Sequence, residues 1–211
     1  GEGVEPAKSN AGAQVEATGV ASVGAALNAS ASPRGFAGKW WFWLPWPLLV
    51  ALDLWSKAVV FGFLERELPL IREPQRQYTV FDRVLRFELV SWGNPGTIWG
   101  LFPNATVVLM VLRCLAVVGL FWFVYKTSRT ARLQQFVLGL VLAGAIGNLY
   151  DNFVRADRTV RDFLRFSGKW PFEWDFPAFN VADSCITVGA IGLFLLLWRE
   201  DRSDRAPQRP Q

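Results

Sequence analysis

The stretch PAFNVADSCITVGA, residues 177–190, decides how this chain is read. It opens a long apolar segment, and its polar marks are Asn180 and Asp183. On a helix, a spacing of three puts that amide and that carboxylate on one face. An ionisable group inside a membrane-length apolar segment is costly and usually marks a site. An ordinary N-cap aspartate at a helix start fits the same letters. The stretch alone leaves both readings open.

Working outward, the apolar residues fall in four blocks. The 211 residues are 52% hydrophobic, with 11 Trp and 17 Phe, a heavy load for a soluble domain. The expected fold class is an α-helical membrane protein with four transmembrane helices, spanning about 40–64, 104–125, 133–153 and 177–198. Trp40, Trp41, Trp43 and Trp46 crowd the first span, as aromatic belts do at a membrane interface. Residues 65–103 are polar. Strand-like alternation over residues 83–90 and a β-prone run over 78–81 predict a small β-element outside the bilayer. Residues 154–176 are expected to form a basic, aromatic loop. Residues 1–35, rich in Gly, Ala, Ser and Pro, read as a disordered tail. A membrane domain over 36–200 and a charged tail over 201–211 complete the expected organisation.

Composition also removes chemistry. There is no histidine, so His-based triads, imidazole metal sites and His general bases are excluded. Cys114 and Cys185 both lie in apolar blocks and read as buried small side chains. No metal or other cofactor is expected. A net charge of +4 without a basic stripe gives no sign of a nucleic-acid partner.

Each apolar block carries polar marks. Asp53 and Lys57 sit four apart on one face of the first span, as an intramembrane ion pair or as part of a site. Arg113 lies awkwardly in the second, either snorkelling or facing an acidic partner. In the third, Gly139, Ala143 and Gly147 form a small-residue seam for close packing. Gly144, Asn148 and Asp151 form a second stripe there. Successive spans alternate direction. That brings the marks of spans one, three and four, and the two long loops, to the same side of the membrane. Scattered structural polar residues would not segregate so. The purely basic short loop with Lys126, Arg129 and Arg132 favours the opposite side as cytoplasmic.

The site side offers Asp151, Asp162 and Asp183, with Asp53 deeper. Paired carboxylates can run hydrolysis: one takes a proton from water while the other, protonated, polarises a carbonyl. Two like charges close together share one proton. The amides Asn94, Asn148 and Asn180 are placed either to orient the acids or to hold a peptide backbone. The charge run over residues 155–165 fits a solvated face or a surface for anionic lipid head groups.

Five stretches in order carry a family resemblance: DLWSK (53–57), NPGTIWG (94–100), GAIGNLYD (144–151), VRDFL (160–164) and FNVAD (179–183). The chain resembles the lipoprotein signal peptidases, or signal peptidase II, over residues 40–198. That resemblance implies an aspartic endopeptidase of the bacterial inner membrane. Such an enzyme cuts prolipoproteins just before a diacylglyceryl-modified cysteine. It implies Asp162 and Asp183 as the catalytic pair, supported by Asp53, Lys57, Asn94, Gly96, Asn148, Asp151 and Asn180. It implies both termini cytoplasmic and the β-element on the outer face. The expected partners are prolipoproteins and membrane lipids, with the chain a monomer. Three departures stand out. Asn152 replaces the Arg usual after GN-x-x-D, leaving Arg155 or Arg158 to substitute. Arg158 replaces a usual Gly four before the acid. Thr97, Ile98 and Trp99 stand where small residues and Phe are usual. The rivals are a proton- or ion-coupled carrier using Asp53, Lys57 and Asp183, and a non-catalytic lipid-binding scaffold.

Overall fold

The computed structural model describes residues 35–73, 75–95 and 106–204. The expected N-terminal tail up to residue 34, the final residues of the C-terminal tail and residues 96–105, Gly96 among them, lie outside the described residues.

Four helices are long and apolar enough to cross a membrane: Trp40–Glu67, Thr106–Lys126, Arg132–Val154 and Val181–Arg199. The first is two pieces, α1 (Trp40–Trp43) and α2 (Pro45–Glu67), joined at Leu44. Pro45 causes the break, because its ring leaves no N–H to continue the ladder but suits the first turn of a new helix. The others are α3 (Thr106–Lys126), α4 (Arg132–Val154) and α5 (Val181–Asp204).

Between them stands one antiparallel sheet of β1 (Gln77–Asp82), β2 (Leu85–Asn94), β3 (Val160–Gly168) and β4 (Trp174–Asp175), in that order. The expectation of a bare loop over 154–176 is corrected: half of the sheet comes from it. β3 exchanges a full ladder with β2, from Leu85↔Gly168 to Asn94↔Val160. Val160, Asp162, Leu164 and Phe166 then alternate with Arg161, Phe163 and Arg165 on the opposite face. Phe166 stacks on Phe87 of β2 with ring centroids 4.8 Å apart.

The helices pack around α4. Two-thirds (67%) of its apolar window is buried, against 6% for α3, so α4 is the central span and α3 faces outward. Lipid tails are as apolar as Leu, so bundle association rests on close packing rather than water exclusion. The two small-residue stripes supply it. A Cβ at Gly144 would lie 2.3 Å from the Ala182 carbonyl oxygen, and one at Gly147 would lie 2.6 Å from Asp53 Oδ2. Gly139 likewise admits the Phe42 backbone.

One end of the bundle is closed by Phe42, Val124, Leu138 and Leu142, with Trp43 and Phe121 packed against them. There the buried Lys39 donates to the carbonyls of Val124 and, at 3.2 Å, of Tyr125. A cation thereby caps the last turn of α3. The opposite end holds the polar residues.

Candidate active site

The start of α5 sets the geometry. Asn180 Oδ1 accepts the backbone N–H of Asp183 at 2.9 Å, and Asp183 Oδ2 accepts the backbone N–H of Asn180 at 3.1 Å. This reciprocal exchange is a capping box, with Asn180 as the cap and Asp183 on its third helical residue. The plain N-cap reading of Asp183 is thus corrected by one turn of geometry. The exchange consumes one oxygen of Asp183. The other, Oδ1, accepts from Asn148 Nδ2 on α4 at 2.7 Å.

Asp162 arrives from β3. An antiparallel bridge, Leu164↔Phe179, ties that strand to the residue just before Asn180. Its hydrogen bonds run from Leu164 N to Phe179 O at 2.9 Å and from Phe179 N to Leu164 O at 3.0 Å. Two residues back along β3, Asp162 then meets Asn180, whose Nδ2 donates to Asp162 Oδ1 at 2.7 Å. Asn94, at the end of β2, donates through Nδ2 to Asp162 Oδ2 at 2.8 Å. A bulge between Leu89 and Trp92 precedes this point and sets Trp92 opposite Asp162. Asp162 is 0% exposed. Burial first, and the facing charge of Asp183 second, push its carboxyl up to about 8.

Beneath the two acids lies a closed ionic web. Lys57 Nζ, 0% exposed, contacts Asp53 Oδ2 at 2.7 Å, Asp151 Oδ2 at 3.2 Å and Asn148 Oδ1 at 3.2 Å. Asp53 turns its other oxygen to the backbone N–H of Ala182 at 2.9 Å, so it also serves the first turn of α5. Asp151 is held from outside by Arg161, whose Nη2 lies 2.6 Å from Oδ1 and whose backbone N–H meets Oδ2 at 3.0 Å. Asn148 and Asn180 complete the web, 3.1 Å apart. Every buried charge here has hydrogen-bonded partners, the condition under which buried ion pairs persist.

Of the sequence-derived residues, Asp53, Lys57, Asn94, Asn148, Asp151, Asp162, Asn180 and Asp183 come together in this network. The three amides orient carboxylates. Gly96 lies outside the described residues. Sequence reasoning missed Arg161 as a partner of Asp151; the signal was its place beside Asp162 on a strand, which turns it to the other face. It also left Asn152 without a role. Asn152 is buried, accepts from Arg113 Nη1 on α3, and donates to the Arg158 carbonyl at 2.6 Å. Of the arginines considered as substitutes, Arg155 pairs with Glu73 and Asp157, while Arg158 takes a left-handed backbone, φ 55°, and lines a groove with Val107, Val111 and Cys114 of α3. The usual Gly at that position is thereby accounted for. Cys185 is buried and Cys114 half-buried, both as free thiols. Among the described residues no group of three or more His, Cys, Asp or Glu could hold a metal ion.

The chain has relatives among known proteins. A family described as signal peptidase (SPase) II matches residues 46–199, from α2 through α5. A lipoprotein signal peptidase of Halalkalibacterium halodurans is 31% identical over 157 residues, 74% of this chain and 90% of that one. Another, from Ectopseudomonas mendocina, is 33% identical over 163 residues, covering 76% and 91%. Among solved structures, a bacterial membrane enzyme determined by the in meso method superposes with a TM-score of 0.64 at 23% identity. It covers 84% of this chain and 98% of its own, which shows the shared fold. Since the matched region takes in all four spans and the sheet that delivers Asp162, the chain belongs to the signal peptidase II family.

Proposed function

We propose that this chain is an aspartic endopeptidase that removes the signal peptide from bacterial prolipoproteins, with Asp162 and Asp183 as its catalytic pair. The cut falls before the diacylglyceryl-modified cysteine. The protein works as a monomer, a multi-pass enzyme of the inner membrane with both termini cytoplasmic. The pair and the sheet lie near the outer face, beside membrane lipids.

One observation carries the reading. Asn180 alone holds both acids, through Nδ2 on Asp162 and through its backbone N–H on Asp183. Two carboxylates fixed on one residue share a proton, and the buried Asp162 is the partner that keeps it. Asp183 then takes a proton from water as the water oxygen attacks the scissile carbonyl carbon. Asp162 gives its proton to the carbonyl oxygen. The tetrahedral diol collapses with cleavage of the C–N bond. The proton on Asp183 passes to the leaving nitrogen, and a diol hydroxyl returns one to Asp162. Asp151 fits the pair less well, because its oxygens are paired with two cations, Lys57 and Arg161, whereas those of Asp162 and Asp183 accept from amides and a backbone N–H. The carrier reading fits less well too, because Asp53 and Lys57 are locked to each other and to the start of α5.

The test is cleavage of a lipid-modified precursor by the purified chain. Asp162→Asn and Asp183→Asn are each expected to lose about 10³-fold or more in rate. Wild-type rate in either variant overturns the assignment. A loss confined to Asp151→Asn moves the pair to Asp151.

A further inference from the structure

Arg113 is a full charge in the body of α3, the span with the least buried apolar window. A guanidinium placed that deep needs partners. Its Nη1 donates to Asn152 Oδ1. Asn152 lies four residues beyond Asn148 on α4, so the two amides share one face, a turn apart. Asn148 is the residue that holds Asp183. The guanidinium therefore stands about one turn outward of the acid pair. The charges of Asp183 and, less strongly, Asp162 both act on it.

The buried charges beneath the pair are already matched. Lys57 lies between Asp53 and Asp151, and Arg161 grips Asp151 through two nitrogens of its guanidinium. These two cations and two anions balance. What remains nearby is the acid pair, carrying a single negative charge when it shares one proton, with Arg113 and Arg158. Arg155 is committed to Glu73 and Asp157 at the surface. Arg158 lines a groove with Val107, Val111 and Cys114 of α3, and its carbonyl accepts from Asn152.

We infer that Arg113 is the positioning cation of the active site: anchored by Asn152, it balances the singly ionised Asp162–Asp183 pair from the α3 side. The inference rests on the peptidase reading above. It turns the most lipid-exposed span into a working wall of the site. Asn152 also ties that wall to the Arg158 carbonyl, four residues before Asp162 on the way into β3.

The groups facing the pair are Arg113 on α3, Asp53 and Lys57 on α2, Asp151 on α4 and Arg161 on β3. Removing one positive charge makes both carboxylates harder to ionise. Both limbs of the pH–rate profile then move to higher pH. A residue that only packs would change the rate or the stability and leave the limbs in place.

The experiment measures lipidated-precursor cleavage against pH for wild type, Arg113→Gln, Arg113→Lys and the exchange Arg113→Asn with Asn152→Arg. Arg113→Gln is expected to move both limbs up by about one pH unit. Arg113→Lys keeps the wild-type profile. The exchange returns a guanidinium from α4 and brings the limbs back. An Arg113→Gln enzyme with wild-type limbs overturns the inference and leaves the peptidase reading intact. Should Arg113→Gln not fold, the exchange decides: wild-type limbs support the inference and shifted limbs overturn it. A wild-type chain that cleaves no lipidated precursor overturns both.

Discussion

The two ends of this bundle solve the same problem in opposite ways. At one, Phe42, Val124, Leu138 and Leu142 close the helices by shape, with Lys39 spent on the end of α3. At the other, Asp53, Lys57, Asn148, Asp151, Asp162 and Asn180 are just as buried, but each is fixed by hydrogen bonds to residues on other elements. Packing between apolar groups is non-directional and forgives substitutions of similar volume. A buried polar network is directional: one lost partner leaves a charge stranded. The difference teaches where this protein can drift and where it cannot.

The largest break of that contrast is Lys57→Met. It leaves Asp53 and Asp151 buried without their common cation and is expected to cost roughly 3–5 kcal/mol. Cleavage should be lost with it, read as denaturation in detergent and as precursor turnover. Next is Leu138→Ala at the apolar end. Only packing is lost there, so about 2 kcal/mol is expected. Below the melting range the pH profile of that variant should match wild type; a shifted profile would show the two ends to be coupled.

The third prediction uses pH and touches only the polar end. In the proposed mechanism Asp162 acts in its protonated form, and its carboxyl is pushed up to about 8. Activity should hold between the acidic limb and that pH and fall about ten-fold per unit above it. The same shift makes the folded state lose stability progressively as pH rises from the ordinary carboxylate value of 3.8 to about 8, because over that window the native carboxyl holds a proton the unfolded chain has released; the loss is complete above it. Asp162→Asn should therefore gain melting temperature over wild type in alkaline buffer, even as it loses activity. The smallest effect is Arg158→Gly, which relieves the left-handed backbone and should stabilise by about 1 kcal/mol without changing cleavage.

Much of the bundle was legible because its signals are periodic. The seam of Gly139, Ala143 and Gly147 read as a packing face of α4, whereas the stripe of Gly144, Asn148 and Asp151 read either as a polar helix end or as part of a site. Asp53 with Lys57 read as a pair from spacing alone. The second half of the sheet did not read. Arg161, Asp162 and Arg165 look like a solvated run, and only the ladder to β2 makes residues 160–168 a strand. The exact start of α5 was also hidden, because three-residue spacing fits two helical neighbours and a capping box equally. Arg113 stayed opaque for a different reason. Its partner Asn152 is 39 residues away on another span, and a lone polar residue does not fix a helix's rotation.

The capping box has a consequence for biogenesis. The oxygen of Asp183 that starts α5 and the oxygen that faces Asn148 belong to one carboxylate. Winding the first turn of α5 and aiming the Asp183 carboxylate are thus a single event. If Asp162 and Asp183 are the catalytic pair, a nascent chain in which α5 is not yet wound carries no assembled acid pair.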